Sequence, residues 1–132
     1  MTPIPETHQT VMPYLLINNA SRFRKFLKNV FDAKETYLKM RDEYSIMHAE
    51  VMIGQSTIMF ADSTENWQTQ PGGLFVYVSD ADEYYHRALA EGATSIMAPT
   101  TQAYGRSCGV TDPFGNVWWI TSMIKLQQTT NV

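Results

Sequence analysis

The chain has 132 residues, of which 44% are hydrophobic and 17% charged, and its net charge is -3. This profile indicates a globular domain with enough apolar side chains for a core. The acidic balance argues against a nucleic-acid partner, no apolar run approaches the roughly 20 residues of a membrane span, and residues 1–9 lack the features of a signal peptide. We therefore predict a cytoplasmic protein that neither binds nucleic acid nor enters a membrane. Its one cysteine, Cys108, excludes an internal disulfide and is expected to be a buried packing residue rather than a reactive thiol.

The first half of the chain predicts a strand, a helix and three further strands. Residues 1–10 contain two prolines and no periodicity, which is typical of a loose tail. A strand is predicted at residues 11–17 and an amphipathic helix at residues 21–31, because apolar side chains recur there at helical spacing. The apolar stripe consists of Phe23, Phe26, Leu27, Val30 and Phe31. Alternating or apolar runs then predict strands at residues 36–40, 46–53 and 56–61, with Gly54-Gln55 as the turn between the last two.

The second half repeats this order after a polar, aperiodic linker at residues 62–71. A strand is predicted at residues 74–78, and Asp80 is placed to cap a helix over residues 81–91 that Gly92 ends. A strand at residues 94–97 and a loop at residues 99–103 follow. The last hairpin is the clearest element: Asp112-Pro113-Phe114-Gly115 has the composition of a β-turn, and residues 117–120 are apolar and β-favouring.

The two halves align at an offset of about 61 residues. In this alignment Gly54-Gln55 meets Gly115-Asn116, and Leu15-Leu16-Ile17 meets Val76-Tyr77-Val78. The repeat predicts a single domain over residues 1–132 that contains two βαβββ modules, at about residues 11–61 and 73–123. We expect an α+β fold in which the modules pair to form a cupped mixed β-sheet, with the helices outside and a shared groove that suits a ligand.

Several motifs resemble those of the vicinal-oxygen-chelate superfamily, which includes glyoxalases, bleomycin-resistance proteins and extradiol dioxygenases. They are Pro13-Tyr14-Leu15, Met47-His48-Ala49-Glu50, Glu91-Gly92-Ala93 and the residues from Gly109 to Ile120. Within the superfamily the chain is most similar to the PhnB-like branch. The resemblance covers residues from about 11 to 123, and it implies a homodimer that binds a small organic ligand.

The resemblance also raises the question of a metal. Glyoxalase-type enzymes hold a divalent ion with a His or Gln on the first strand and a carboxylate on the fourth strand of each module. The matching positions here are Met12, Gly73, Ile58 or Met59, and Trp119. None of these side chains is a ligand for a hard cation. We therefore predict no metal at the usual centre, and no cofactor.

His48 and Glu50 are the candidate catalytic residues. At positions i and i+2 of a strand they share one face with Met52. A strict two-residue turn at Gly54-Gln55 pairs Val51 with Ile58, and this register sets the face of His48 opposite Thr57 and Met59. That face lies either in the groove or under the helices, and the cost of burying a lone Glu favours the groove. A metal held by His48 and Glu50 alone lacks the usual third protein ligand, and both His8 and His86 are expected to face solvent.

The remaining candidates are ligand-binding residues. Aromatic side chains at alternating positions can surround the groove, although ordinary core packing explains them as well, and Arg106 is either an anchor for an anionic ligand or a surface arginine. The complete predicted ligand-binding set is Tyr14, Met52, Phe75, Tyr77, Arg106 and Trp119. Three functions compete. The first is a metal-free small-molecule-binding protein, the second a metal-independent lyase or isomerase that uses His48 and Glu50 as an acid–base pair, and the third a metal-dependent enzyme with a rearranged ligand set.

Overall fold

A computed structural model describes residues 2–123 of the chain. The chain divides into two compact units between Pro71 and Gly72, and each unit has the predicted order of strand, helix and three strands. The elements are β1 (Tyr14–Ile17), α1 (Ala20–Phe31), β2 (Lys34–Met40), β3 (Ile46–Ile53), β4 (Ser56–Asp62), β5 (Gly73–Tyr77), α2 (Ala81–Ala90), β6 (Thr94–Gln102), β7 (Gly105–Thr111) and β8 (Val117–Ser122). The predicted α+β class and the two βαβββ modules are confirmed. The shared groove stays a prediction.

Each unit contains a four-stranded mixed sheet. The strand order is β1-β4-β3-β2 in the first sheet and β5-β8-β7-β6 in the second. In both sheets the first strand of the unit pairs parallel to the last one, and the other pairs are antiparallel. No helix among residues 2–123 has the length and apolarity of a membrane span.

The first unit has its core between α1 and one face of its sheet. Phe23 and Phe26 on α1 are buried, as the periodicity predicts, and the ring of Phe23 meets that of Phe60 edge-on with centroids 5.0 Å apart. The sheet residues buried on this side are Ala49, Val51, Ile58 and Phe60. The other face of the sheet carries the polar side chains of β3 and is therefore the face on which a ligand site can form.

The second unit follows the same plan around α2. The side chain of Asp80 accepts a hydrogen bond from the backbone N–H of Glu83, which is the predicted helix cap. Trp118 and Cys108 are buried on the α2 side of the sheet. Burial raises the pKa of the Cys108 thiol to about 11, so the thiolate is scarce at neutral pH and the predicted packing role fits.

Several predicted boundaries differ in the structure. The first strand, predicted from residue 11, begins at Tyr14. The loop predicted at residues 99–103 is wrong up to Gln102, because β6 extends to that residue. β6 is an edge strand of its sheet, and its pairing with β7 shifts register between Met97 and Thr100. Pro99 lies within this shift, where its lack of a backbone N–H removes no hydrogen bond from the sheet. The prediction of a loose tail is also wrong for residues 7–9, because hydrogen bonds of Thr7 and Gln9 with Thr57 fix this segment along β4.

Candidate functional site

The β3–β4 hairpin determines which side chains share the open face of the first sheet, which is the face opposite α1. Its register pairs Val51 with Ile58 and Glu50 with Met59, as the two-residue turn predicts. Gly54 has a φ of 55° in this turn, in the left-handed region that glycine tolerates. The parallel pairing of Tyr14 with Met59 brings the tyrosine to the open face as well. The predicted pair of His48 and Glu50 is thus confirmed to lie away from the helix.

Four side chains on this face form a continuous hydrogen-bonded chain, which we call the polar relay: Tyr14, His48, Glu50 and His8. The phenol oxygen of Tyr14 lies 3.0 Å from Nδ1 of His48, and Nε2 of His48 lies 2.8 Å from one carboxylate oxygen of Glu50. The other carboxylate oxygen lies 2.8 Å from Nε2 of His8. The rings of Tyr14 and Tyr37 both contact the imidazole of His48, at centroid distances of 5.5 and 5.7 Å.

Glu50 is the charged centre of the polar relay. Its side chain is 12% exposed, and burial is the largest single influence on its pKa, which it raises. Hydrogen bonds from His8 and His48, together with the charges of those rings, outweigh burial and hold the pKa of Glu50 below its ordinary value. The carboxylate is therefore ionised at neutral pH and accepts a hydrogen bond at each oxygen.

The ionised carboxylate also fixes the direction of the remaining hydrogen bonds. Because Glu50 can only accept, His48 donates through Nε2–H. In the neutral form of His48 the other ring nitrogen, Nδ1, is an acceptor, and Tyr14 then donates its O–H to it. Burial raises the pKa of the Tyr14 phenol and the charge of Glu50 adds to this effect, while Arg41 opposes it. The phenol thus keeps its proton at neutral pH.

His8 belongs to this site, and the prediction that it faces solvent from a loose tail is wrong. The segment that carries it is fixed along β4: the side-chain amide of Gln9 donates to the carbonyl of Thr57 at 3.0 Å and accepts from its N–H at 3.2 Å. The hydroxyl of Thr57 donates to the carbonyl of Thr7. The partner of His8 lies 42 residues away in the chain, and no periodic pattern marks such a contact. His86 is exposed on α2, as predicted.

A cavity of about 500 Å³ lies in the first unit next to the polar relay. Its lining residues are Tyr14, Leu16, Arg41, Met47, Ala61, Asp62, Trp67 and Gln70. The wall that carries Trp67 and Gln70 belongs to the predicted linker, which pairs with β1 through backbone hydrogen bonds between Gln70 and Leu16 at 2.9 and 3.3 Å. The linker is therefore part of the site, and it contributes a Trp whose side chain is 68% exposed.

A second cleft, of about 520 Å³, lies on the other side of the first sheet between α1 and β2. Its charged lining consists of Arg24, Lys25, Lys28, Lys34 and Glu35. Arg24 pairs with Glu35, and the lysines are exposed. These side chains are the polar face of the amphipathic helix and its neighbouring strand, and the cleft does not include any member of the polar relay.

The second unit carries three of the predicted ligand-binding residues. Phe75, Tyr77 and Trp119 lie on the face of the second sheet opposite α2, and their exposed fractions are 53%, 66% and 37%. Phe75 and Tyr77 contact each other edge-on with centroids 5.2 Å apart, and the ring of Trp119 lies over Gly109. Met52 shares the open face of the first sheet but does not line the cavity beside Tyr14. A role for these four residues in ligand binding stays a prediction.

Arg106 occupies a different place from the other predicted residues. It lies on the α2 side of β7 with Cys108, and its guanidinium forms two hydrogen bonds, of 2.7 and 3.1 Å, with the carboxylate of Asp82. This contact lowers the pKa of Asp82 chiefly through the hydrogen bonds from Arg106. Arg106 therefore holds the first turn of α2 against the sheet, and the structure does not support the predicted role as an anchor for an anionic ligand.

Comparisons with known proteins agree with this fold. Residues 8–120 match the profile of the Glyoxalase/Bleomycin resistance protein/Dioxygenase superfamily. The chain belongs to this superfamily. Its relatives include an uncharacterised protein of Mycobacterium bovis, which is 30% identical over 118 residues that span 80% of this chain and 78% of the relative. The superfamily resemblance drawn from the sequence motifs is confirmed.

Three solved structures show how widely the superfamily fold is shared. TioX from Micromonospora sp. ML1 aligns with a TM-score of 0.72 and 22% identity over 88% of this chain and 100% of its own. A PhnB protein from Bacillus cereus, described as a putative 3-demethylubiquinone-9 3-methyltransferase, has a TM-score of 0.69 and 19% identity over 86% and 99% of the two chains. FosX from Listeria monocytogenes, complexed with Mn(II) and sulfate ion, has a TM-score of 0.67 and 17% identity over 93% and 96%.

The superfamily's usual metal does not fit the side chains present here. The matching positions carry a thioether at Met12, hydrogen at Gly73 and an indole at Trp119, and that indole rests on the backbone of Gly109. Among residues 2–123 no group of three or more His, Cys, Asp or Glu side chains is placed to hold a metal ion. The polar relay instead uses its nitrogen and oxygen atoms in hydrogen bonds with each other. The absence of a metal centre stays a prediction.

Proposed function

We propose that this superfamily member binds a small organic molecule in the cavity beside Tyr14, without the superfamily's usual metal ligands. The observation that carries the proposal is the cavity of about 500 Å³, whose walls combine apolar side chains with a few polar groups. This volume and mixture are typical of sites for small organic ligands. Leu16, Met47 and Ala61 supply apolar contacts, and Trp67 and Tyr14 supply rings.

The alternative function is a metal-independent lyase or isomerase that uses His48 and Glu50 as an acid–base pair. The observation that favours it is the polar relay, because an imidazole that is oriented by an ionised carboxylate is a common general base. His48 is 24% exposed, so its ring is sheltered but not sealed from solvent. This proposal needs turnover of a ligand, whereas the first needs binding alone.

We also propose that the protein is a cytoplasmic homodimer of the PhnB-like branch. Its support is membership of a superfamily whose members often dimerise and the sequence motifs shared with PhnB proteins. Sedimentation velocity over a range of protein concentrations tests the dimer. A single species with the mass of one chain at all concentrations would remove that part of the proposal.

The binding proposal is tested by screening a panel of small aromatic and aliphatic compounds for an increase in thermal stability, followed by calorimetric titration of each hit. We expect Trp67→Ala to weaken binding at least tenfold, because the substitution removes an exposed wall of the cavity. The matched control is Tyr44→Ala, which removes an aromatic side chain that is 81% exposed and does not line the cavity. Equal affinities of wild type and Trp67→Ala for every hit would reject this cavity as the binding site.

His48→Ala separates the two functions. If the protein is an enzyme, this variant loses turnover of any compound that the wild type transforms, while the variant still binds the compound. If the protein only binds its ligand, no compound in the panel is transformed by the wild type, and mass spectrometry of the incubated ligand detects no product.

A further inference from the structure

We infer that Tyr14 is the group through which His48 and Glu50 act on the ligand, and that the ligand carries an acidic hydroxyl, of the phenol or enol class, held as an oxyanion between Tyr14 and Arg41. This inference rests on the proposed ligand cavity. It adds a contact residue and a ligand class to that proposal.

The cavity reaches the polar relay at one end only. Tyr14 lines it, whereas His48, Glu50 and His8 do not. Tyr14 is also 47% exposed, and its phenol oxygen is the atom that bonds to His48. A ligand in the cavity therefore meets the phenol rather than the imidazole.

The direction of the hydrogen bonds gives the phenol oxygen a definite role. When His48 is neutral, the phenol proton points to its Nδ1, so the oxygen presents lone pairs to the cavity and accepts a hydrogen bond from a ligand O–H. A proton can then move in two linked transfers: the ligand O–H breaks as a new Tyr14 O–H forms, and the original phenol proton passes to Nδ1 of His48. The products are a ligand oxyanion, a neutral phenol and an imidazolium whose Nε2–H still bonds Glu50.

The charges around the cavity favour this outcome. Arg41 lines the cavity, and its guanidinium donates a 3.4 Å hydrogen bond to the backbone carbonyl of Asp62. Among residues 2–123 this guanidinium forms no ion pair. Asp62 also lines the cavity. Its carboxylate accepts hydrogen bonds from the backbone N–H groups of Ala20 and Ile46, the first residues of α1 and β3, at 2.9 and 2.6 Å. Arg41 is thus the cationic side chain available to a ligand oxygen.

The same charges distinguish an acidic hydroxyl from a carboxylate. A ligand that enters as an anion beside the phenol of Tyr14 meets the charge of Glu50 as well as that of Arg41, since both act at that phenol, so attraction and repulsion partly cancel. A ligand that enters neutral and gives its proton to the relay leaves the total charge of the site unchanged. The new oxyanion then lies near both the imidazolium and the guanidinium. The raised pKa of Tyr14 agrees with this step, because the phenol transfers a proton and does not itself stay ionised.

The test uses 7-hydroxycoumarin, a planar phenol whose neutral and ionised forms absorb at different wavelengths, and 7-methoxycoumarin, which cannot ionise. We expect the wild type to bind the hydroxy compound more tightly and to lower the pH at which its bound form ionises by about one unit, a tenfold change in the equilibrium. Tyr14→Phe should abolish that shift and Arg41→Gln should reduce it. Both variants should still bind 7-methoxycoumarin, and Tyr44→Phe should behave as wild type.

The possible failures are distinguishable. If both coumarins bind but the bound hydroxycoumarin ionises at the same pH as the free compound, the inference is wrong and the proposed binding function stands. A shift that persists in Tyr14→Phe also overturns the inference, because another group then accepts the proton. If neither coumarin binds, the phenol class is wrong, and the compound panel alone decides the proposed function.

Discussion

The buried carboxylate of Asp112 accepts a 2.8 Å hydrogen bond from the indole Nε1–H of Trp118. The same oxygen accepts from the side chain of Asn116 at 2.9 Å, and the other oxygen accepts from the backbone N–H groups of Phe114 and Asn116 at 2.8 and 2.9 Å. Asp112 is 4% exposed, and three of the four bonds are buried, while the bond from Phe114 is partly buried. One side chain therefore joins the β7–β8 turn to the large ring that packs beneath α2.

We predict that Asp112→Ala destabilises the protein by about 3 kcal/mol, because it leaves buried N–H donors without an acceptor. Urea denaturation followed by circular dichroism measures the change. Asp80→Ala is the control for loss of an exposed capping carboxylate and should cost about 1 kcal/mol. A loss for Asp112→Ala no greater than that of the control would contradict the prediction.

Gly109 is predicted to be intolerant of a side chain because of Trp119. A Cβ at this position would lie 2.4 Å from the indole Cζ3, so the ring must move. We expect Gly109→Ala to cost about 2 kcal/mol by overpacking and to change the fluorescence of the displaced indole. The control is Gly73→Ala on β5, where a Cβ meets nothing within 4 Å, and it should be close to neutral.

Trp119→Ala in the Gly109→Ala background separates steric clash from a backbone effect. If the clash is the cause, Gly109→Ala lowers the free energy of unfolding much less in a Trp119→Ala protein than it does in the wild type. An undiminished loss in that background would show that the backbone at Gly109, rather than the indole, rejects the methyl group.

The stability of the protein should depend on the ionisation of Glu50 in acid. The pKa of this group is lower in the folded state than its ordinary 4.5, so its favourable contribution is complete above that value and is lost as the pH falls through it toward the lowered pKa. We predict that the difference in unfolding free energy between wild type and Glu50→Gln shrinks as the pH falls below about 5.

The measurement is a series of urea denaturations of both proteins between neutral pH and the onset of acid unfolding. Glu65→Gln is the matched control, since Glu65 is an exposed carboxylate of the loop before β5. A difference between wild type and Glu50→Gln that stays constant across this range would mean that the carboxylate is not held in its ionised form by the histidines.

His8 should support the ionised form of Glu50 from the N-terminal segment. We predict that His8→Ala raises the pKa of Glu50, because the substitution removes one of the two imidazole hydrogen bonds that oppose the effect of burial. Carbon-13 NMR titration of the Glu50 side-chain carboxyl measures this change. His86→Ala, on the exposed face of α2, should leave the titration unaltered, and an equal shift in both variants would refute a specific role for His8.

The sequence predicts the elements well where one physical rule dominates. The apolar spacing in α1 and the turn chemistry at Gly54-Gln55 fix local structure, and the turn fixes the pairing of Val51 with Ile58. Because a strand places alternate residues on opposite faces, that single pairing also places His48 and Glu50 together on the open face.

The rest of the candidate site depends on contacts that no local pattern records. His8 meets Glu50 across 42 residues of the sequence. Gln70 pairs with Leu16 through backbone hydrogen bonds, which do not depend on the type of side chain and so leave no mark in the sequence. Arg41 lies in the sequence between two predicted strands, where no pattern marks it as a site residue. Its position beside Tyr14 follows from the path of β2 and the linker, which is a tertiary property.

The fixed N-terminal segment has a practical consequence for preparing this protein. Removing the first nine residues would take away His8 and the Gln9 amide, and with them one imidazole hydrogen bond to Glu50 and both side-chain contacts of Gln9 with Thr57. An affinity tag fused close to Thr7 would crowd the same surface. Ligand screens are therefore best run on protein that keeps residues 7–9, since a trimmed chain lacks these contacts with Glu50 and Thr57.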